Sequence, residues 1–128
     1  MSVTFAEILS SAEELASGPN EIDWRNSVSR AYYAAFHRAL DSAHACPDNS
    51  HLHMGTHEAL SNRFELHGKQ GAKSISVVLQ AMKRNRHQAD YDIFDQFDRN
   101  VCSEQIATCK KLVDRLVSFD NDNQLKSA

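Results

Sequence analysis

The chain has 128 residues, of which 41% are hydrophobic, so it is long enough for one domain with a modest core and too apolar to remain disordered. Its formal net charge of −3 excludes a protein that coats nucleic acid non-specifically, and any nucleic-acid role requires a local basic patch. No apolar run approaches the roughly 20 residues that span a bilayer, so no membrane partner is expected.

The first predicted element is an amphipathic helix of about three turns. Its apolar positions are Phe5, Ile8, Leu9 and Ala12, and the Ser17-Gly18-Pro19 segment ends it because glycine and proline interrupt helices.

The second predicted helix runs from about Asn20 to Ala45 and is expected to be the longest or nearly so. Asn20 can cap it, and Asp23 stands at the third helical position, where its carboxylate completes a capping box. At about 100° per residue, one stripe is apolar and comprises Trp24, Val28, Ala31, Tyr32, Ala35, Ala39 and Ala43. The opposite face is polar and comprises Asn26, Arg30, Tyr33, His37 and Asp41.

Arg30 and His37 are the chemically notable residues of that polar face. They are seven residues apart, so their side chains point the same way, about 10 Å apart along the helix axis. A cation and a titratable base on one face are what a phosphate-handling site needs, but an ordinary solvated face also contains them. The spacing by itself leaves both interpretations open.

Two shorter connections separate the next helices. Residues 47–53 are a polar connection, and a third helix is predicted from about Thr56 to Leu66. Residues 67–71 are predicted to be a loop because they contain two glycines. A fourth helix is predicted from Ser74 onward.

The last quarter of the chain completes an all-α pattern. Residues 92–100 are predicted to be an acidic loop that docks on the core. A final helix follows, with Ile106, Cys109, Val113, Leu116 and Val117 on one face. Helices with short connections predict an antiparallel up-and-down bundle of four to five helices. We expect a single domain over residues 1–128, with a core of about 4–119 and a frayed tail from Asp120.

Arg86, in the fourth helix, lies eleven residues after Ile75 and therefore within ~20° of the apolar stripe. A guanidinium at that position must be paired or must face another subunit. Asp90, four residues later, is the natural partner, and a simple ion pair at the helix end is the alternative interpretation. An apolar stripe that carries this arginine predicts a homodimer.

The cysteines and histidines suggest no metal site. His51, His53 and His57 have no cysteine or carboxylate at matching spacing, so they are expected to be solvated and no metal or cofactor is predicted. Cys102 and Cys109 share a helical face and are expected in the core. The three cysteines show no Cys-x-x-Cys spacing, and residues 1–20 lack the pattern of a signal peptide, so we expect reduced thiols in a cytoplasmic protein.

Two segments resemble one family. The SRAYYAAFH run at residues 29–37, followed by Arg86-x-x-Ala89-Asp90-Tyr91, is similar to the HEPN domains of prokaryotes. The similarity is closest to small stand-alone proteins related to toxins that are paired with minimal nucleotidyltransferases. His53-x-Gly55 resembles a weaker part of the same pattern, and the resemblance spans roughly residues 20–117. It implies an up-and-down helical bundle, usually dimeric.

The resemblance also implies an activity, because many HEPN proteins are metal-independent ribonucleases. Their signature is an arginine followed, after four to six residues, by a histidine, and the motifs of two subunits meet across the dimer interface. The histidine can take the proton from a ribose 2′-OH, and the arginine can hold the phosphate as charge builds on it. Only RNA has that hydroxyl, so RNA rather than DNA is the expected substrate.

This sequence departs from the signature in the fourth helix, where Tyr91 stands at the position that active members usually give to histidine. Tyrosine, with a pKa near 10, is a poor base at neutral pH. The Arg-x6-His match falls instead on Arg30 and His37, which are the predicted catalytic pair. The predicted binding and supporting residues around the same cleft are Tyr33, His53, Arg86, Asp90 and Tyr91.

Three functions remain open on the sequence. The first, which we favour over the second, is a ribonuclease toxin that is restrained by a cognate nucleotidyltransferase antitoxin. The second is a non-catalytic HEPN module that binds RNA or a nucleotide, or supports a partner nucleotidyltransferase. The third is a helical dimerisation protein whose polar face has no ligand.

Overall fold

The computed structural model describes residues 2–127, with side chains through residue 124, and this part of the chain is an all-α bundle without a strand. The helices are α1 (Phe5–Ala16), α2 (Glu21–Ser42), α3 (Thr56–His67), α4 (Gln70–Tyr91) and α5 (Asn100–Ser127). Two 3₁₀ turns, Ala43–Ala45 and Ser50–Leu52, lie between α2 and α3. The predicted all-α helical bundle is therefore confirmed.

The second helix is the centre of the bundle, because α2 packs against α1, α4 and α5 and also touches α3. Its small residues make this close approach on several sides sterically feasible, and the fully buried ones are Ala31, Ala34, Ala35 and Ala39. The predicted apolar stripe is buried apart from Trp24, which is half-buried. At 22 residues α2 equals α4 in length, and only α5, at 28, is longer.

The start of α2 depends on a close approach between Gly18 and Asp23. The Asp23 carboxylate accepts a hydrogen bond from the Asn20 backbone N–H at 3.3 Å, as the predicted capping box requires. A Cβ atom at position 18 would lie 2.4 Å from the Asp23 Oδ2 atom, so only glycine fits there. The Trp24 indole closes the same corner by donating to the Gly18 carbonyl at 2.9 Å.

One main hydrophobic core holds the helices together. Its largest fully buried side chains include Tyr32 from α2, Phe64 from α3, Met82 from α4, and Leu112 and Leu116 from α5. On α5 the buried face follows Cys109, Leu112, Leu116 and Phe119. The predicted face included Val117, which is 46% exposed because it falls outside this 3-4-3 spacing.

Two element boundaries differ from the prediction. The fourth helix begins at Gln70 rather than Ser74, because Gly68 ends α3 at a φ of 86° and the chain turns back within two residues. The fifth helix continues past Asp120, where fraying was predicted. The Asp120 carboxylate accepts a hydrogen bond at 2.8 Å from the Arg38 guanidinium, and this ion pair fastens the end of α5 to α2.

Arg25 fixes the loop that follows α4. Its buried guanidinium donates to four backbone carbonyls, those of Gln88, Ala89, Asp92 and Asp95, and pairs with the Glu21 carboxylate at 3.0 Å. Glu21 also accepts from the Phe97 N–H at 3.0 Å, and the Phe97 ring is buried beneath Arg25. The acidic loop thus docks on the core as predicted, while Phe94 within it is 98% exposed.

Candidate functional site

Arg86 is the most unusual charged side chain in the described part of the chain. It is only 11% exposed, and its guanidinium carbon lies 5.5 Å from the Tyr32 ring centre and 5.8 Å from that of Tyr33. Its ion pair with Asp90 is long, at 3.4 Å between Nη1 and Oδ2. The Nε atom is buried and has no hydrogen-bond partner among the described residues.

Asp90 joins this arginine to the central helix. Its Oδ2 atom, which faces the Arg86 guanidinium, also accepts a hydrogen bond from the Ser29 hydroxyl at 3.2 Å. Ser29 is on α2 and Asp90 is on α4, so the pair predicted from the i, i+4 spacing is present and also connects the two helices.

His57 contributes a second titratable group to the same place. Its Nδ1 atom lies 2.7 Å from the Tyr32 hydroxyl, and its ring contacts the rings of Tyr32, Tyr33 and Phe36. We call Ser29, Tyr32, Tyr33, His57, Arg86 and Asp90 the Arg86 cluster. It brings together residues of α2, α3 and α4.

Burial and charge set the protonation states of this cluster. Burial raises the pKa of Tyr32 to about 12, although the Arg86 charge opposes the shift, so this tyrosine is neutral at physiological pH. Burial lowers the pKa of His57, and the positive charges of Arg86 and Lys83 lower it further. A neutral imidazole beside a desolvated guanidinium is an arrangement that can bind a phosphate and accept a proton.

Arg30 and His37 lie outside the Arg86 cluster. Both side chains are exposed, and Arg30 makes no hydrogen bond or ion pair with any described residue. His37 touches the edge of the Phe36 ring and borders a shallow pocket whose other residues come from the start of the chain and from the end of α2, including Phe5 and Asp41. No contact or pocket of the described chain joins His37 to Arg86.

Tyr91 and His53 are also apart from the cluster. Tyr91 is 62% exposed and lies beside the His87 ring at 4.7 Å. His53 is exposed and has a left-handed backbone, with a φ of 52°, after a 3₁₀ turn. Of the predicted site residues, the structure therefore brings together Tyr33, Arg86 and Asp90. The predicted convergence of Arg30, His37, Arg86 and Tyr91 on one cleft does not occur within one chain.

The separation has a simple helical cause. The side of α2 that faces Arg86 carries Ser29, Tyr32 and Tyr33, whereas Arg30 and His37 share a direction that points to solvent. The seven-residue spacing fixes the two side chains relative to each other, but it does not decide which face meets α4.

Sequence reasoning missed two functional or structural residues, His57 and Arg25. His57 was expected to be solvated, yet it lies three residues before Leu60 and seven before Phe64, which are both buried. That spacing, which places it on the buried face of α3, was the available signal. For Arg25 the signal was its place on α2 beside the apolar stripe, four residues after Glu21.

Neither a metal site nor a membrane-spanning helix is found in the described residues. No three or more histidine, cysteine or acidic side chains there are grouped so that they could hold a metal ion. No described helix combines the length and the apolar character needed to cross a bilayer.

Comparisons with known proteins give no family for this chain. No protein-family model matches it, and a search of curated proteins finds no significant match. The similarity to HEPN domains therefore rests on the SRAYYAAFH segment and the Arg86-x-x-Ala89-Asp90-Tyr91 segment themselves.

Proposed function

We propose that this chain is a HEPN-like module that binds RNA or a nucleotide by its phosphate at the Arg86 cluster. The observation that carries the proposal is the incomplete pairing of Arg86 within the described residues. Arg25 shows what a structural arginine does in the same fold, because its guanidinium bonds four carbonyls and a carboxylate. Arg86 is almost as buried but has a single long ion pair, so donor capacity is left for a ligand.

The surroundings of Arg86 suit a nucleic-acid ligand. A guanidinium can bind two phosphate oxygens at once, and its attraction is strongest where water is largely excluded. Tyr33 is half-buried, so part of its ring is available to stack against a base, as aromatic side chains do in single-stranded RNA complexes. Lys83, whose charge acts on His57, adds a second cation for the backbone.

The proposal is tested by measuring how tightly a fluorescent uridine octanucleotide binds to the Arg86→Met variant. We expect the affinity to fall by about tenfold or more, because a hydrogen bond to a charged group contributes roughly 1.5–3 kcal/mol. Arg30→Met is the matched control, because it removes an exposed arginine from α2, and it should bind nearly as well as the wild type. Wild-type affinity in Arg86→Met, with a normal circular dichroism spectrum, contradicts the proposal.

His57 favours a second candidate function, the metal-independent cleavage of RNA. Its imidazole is kept neutral, as a general base must be, and the charge of Arg86 acts directly on it. In this mechanism His57 takes the proton of a ribose 2′-OH, the 2′ oxygen attacks the adjacent phosphorus, and Arg86 stabilises the charge on the phosphate. The 5′ oxygen of the next nucleotide leaves and takes up a proton from water, so one product ends in a 2′,3′-cyclic phosphate and the other begins with a 5′-hydroxyl. His57 thus replaces His37 as the proposed base.

Cleavage is tested by incubating total RNA with the protein in the presence of EDTA. If the protein cuts RNA, His57→Ala should lower the rate by about 10²–10⁴, the usual contribution of a general base. His37→Ala is the matched control and should retain activity, because His37 is exposed outside the cluster. If the wild-type protein leaves the RNA intact, the chain is a non-catalytic module. If His37→Ala loses activity and His57→Ala keeps it, His37 rather than His57 is the general base.

The HEPN resemblance supports further proposals about assembly and partners. A homodimer is supported by three exposed apolar side chains at the end of α4 and in the loop after it, Tyr91 at 62%, Ile93 at 64% and Phe94 at 98%. The three free, buried cysteines support a cytoplasmic location. If the chain cuts RNA, it acts as a toxin, and the resemblance supports a cognate nucleotidyltransferase as its antitoxin.

A further inference from the structure

A polar groove of about 630 Å³ lies between α3 and α4. Its volume is within the usual range for small-molecule sites, but every side chain that lines it is polar or charged. Glu58 lines the groove and directly follows His57 in the chain, so the groove adjoins the Arg86 cluster.

Both walls of the groove carry charged side chains that do not meet. Lys83 and Arg84 lie on the α4 wall and Glu58 and Glu65 lie on the α3 wall, while Asp92 lines the groove just after α4 ends. None of these five side chains forms an ion pair among the described residues. Glu65 is in the last turn of α3, where the helix dipole disfavours a carboxylate, so its position is not explained by helix stability.

Two amides that line the same groove as Glu65 leave hydrogen-bonding groups without a described partner. The Asn62 oxygen accepts from the Asn49 amide at 2.9 Å, so its own N–H₂ group remains as a donor. The Gln80 N–H₂ group donates to Ser76 at 3.1 Å, so its oxygen remains as an acceptor. The groove therefore offers a carboxylate, one donor and one acceptor, which are the groups that read the edge of a nucleobase.

The part of the groove between Gln80 and His87 is long enough for one nucleotide, and the lining continues along the chain to Asp92. Glu58 and Glu65 are seven residues apart, as are Gln80 and His87, which corresponds to about 10 Å along each helix. That span is comparable with the distance from a phosphate to the far edge of its base. The cations of the α4 wall can hold the phosphate while the Glu65 end contacts the base.

We propose that this groove binds one nucleotide of a single-stranded RNA and prefers guanine at that position. Guanine presents its N1–H and its N2 amino group side by side, and a carboxylate such as that of Glu65 accepts both. Uracil presents an oxygen on either side of its single N–H, and these oxygens repel the negatively charged Glu65 carboxylate. The inference rests on the proposed binding of RNA and adds the base preference and the residues that read it.

The test compares three fluorescent octanucleotides at one fixed salt concentration. All are uridine strands, and the central residue is guanosine, inosine or uridine. Inosine is the matched ligand control because it lacks only the N2 amino group. Wild-type protein should bind the guanosine strand at least about fivefold more tightly than the other two, the lower end of what a bidentate base contact gives.

Substitutions of two exposed side chains distinguish recognition of the base from binding of the phosphate. Glu65→Gln should remove the preference for guanosine and leave the uridine strand bound as before, whereas Glu14→Gln on α1 is its control. Arg84→Ala should weaken the binding of all three strands equally and make that binding less dependent on salt concentration. Lys111→Ala on α5 is its control.

The outcomes distinguish this inference from the proposed function. If the wild type binds the three strands equally and Arg86→Met loses affinity, the proposed guanine preference of the groove is overturned and the proposed function stands. A guanosine preference that persists in Glu65→Gln also overturns it. No binding of any strand by the wild type contradicts both.

Discussion

Replacing Arg25 by methionine should destabilise the fold more than any surface change, because one guanidinium holds the end of α4 and the following loop. The substitution keeps an apolar stem but removes the donors to four carbonyls, of which that of Ala89 is fully buried. It also leaves Glu21 without its ion-pair partner. Removing one member of a buried charged network typically costs about 3–5 kcal/mol.

That cost is a large share of the stability of a domain of this size. At roughly 0.05–0.15 kcal/mol per residue, a chain of 128 residues unfolds with a free energy of about 6–19 kcal/mol. At about 3 °C per kcal/mol, the melting temperature of Arg25→Met should fall by about 9–15 °C.

Urea denaturation followed by tryptophan fluorescence measures this loss directly. Trp24 is the single tryptophan and borders a shallow pocket with Phe97, so its emission reports on the loop that Arg25 holds. Arg30→Met is the matched control on the same helix and should change stability by less than about 0.5 kcal/mol. Arg25→Lys should recover little, because an ammonium lacks the planar fork that reaches several carbonyls. A loss below about 1 kcal/mol in Arg25→Met would refute the reasoning.

Two other predictions concern pH and assembly. Because burial, Arg86 and Lys83 lower the pKa of His57 in the folded protein, the unfolded chain takes up this proton first as the pH falls through about 6.5. The free energy of unfolding should therefore decrease as the pH is lowered through that window. The decrease should be smaller in His57→Gln than in the wild type or in His51→Gln, and thermal melts at several pH values measure it. An equal slope in all three proteins would disprove the assignment. The proposed homodimer predicts that Phe94→Ser, which removes a side chain that is 98% exposed, shifts the protein toward monomer in sedimentation at tens of micromolar, whereas an unchanged dimer would place the interface elsewhere.

The helices could be predicted from the sequence because burial repeats with the helical period. The predicted apolar stripe is buried as expected from Val28 to Ala43, and the acidic loop docks through Phe97. The boundaries were less predictable. Lys69 precedes α4 in an extended conformation without a side-chain cap, so no sequence signature marked the start at Gln70.

The candidate site could be predicted only where it depends on local spacing. Arg86 and Asp90 are four residues apart on one helix, and their ion pair is present. Which side of α2 meets Arg86 depends on how whole helices dock, so the choice between Tyr33 and Arg30 as its neighbour was not contained in the spacing. His57 was obscured because three histidines occur within seven residues, and only its relation to Leu60 and Phe64 distinguishes it.

The central claim is that RNA binds at the Arg86 cluster, and mapping the contact surface by nuclear magnetic resonance tests it most directly. A uridine octanucleotide is titrated into protein labelled with nitrogen-15, and the shifts of the backbone and arginine side-chain signals are followed. We expect the largest changes at Tyr33, His57, Arg86 and their neighbours, and we expect the buried Arg86 Nε–H signal to move. Changes confined to Arg30 and His37, or to α1 and α5, would contradict it.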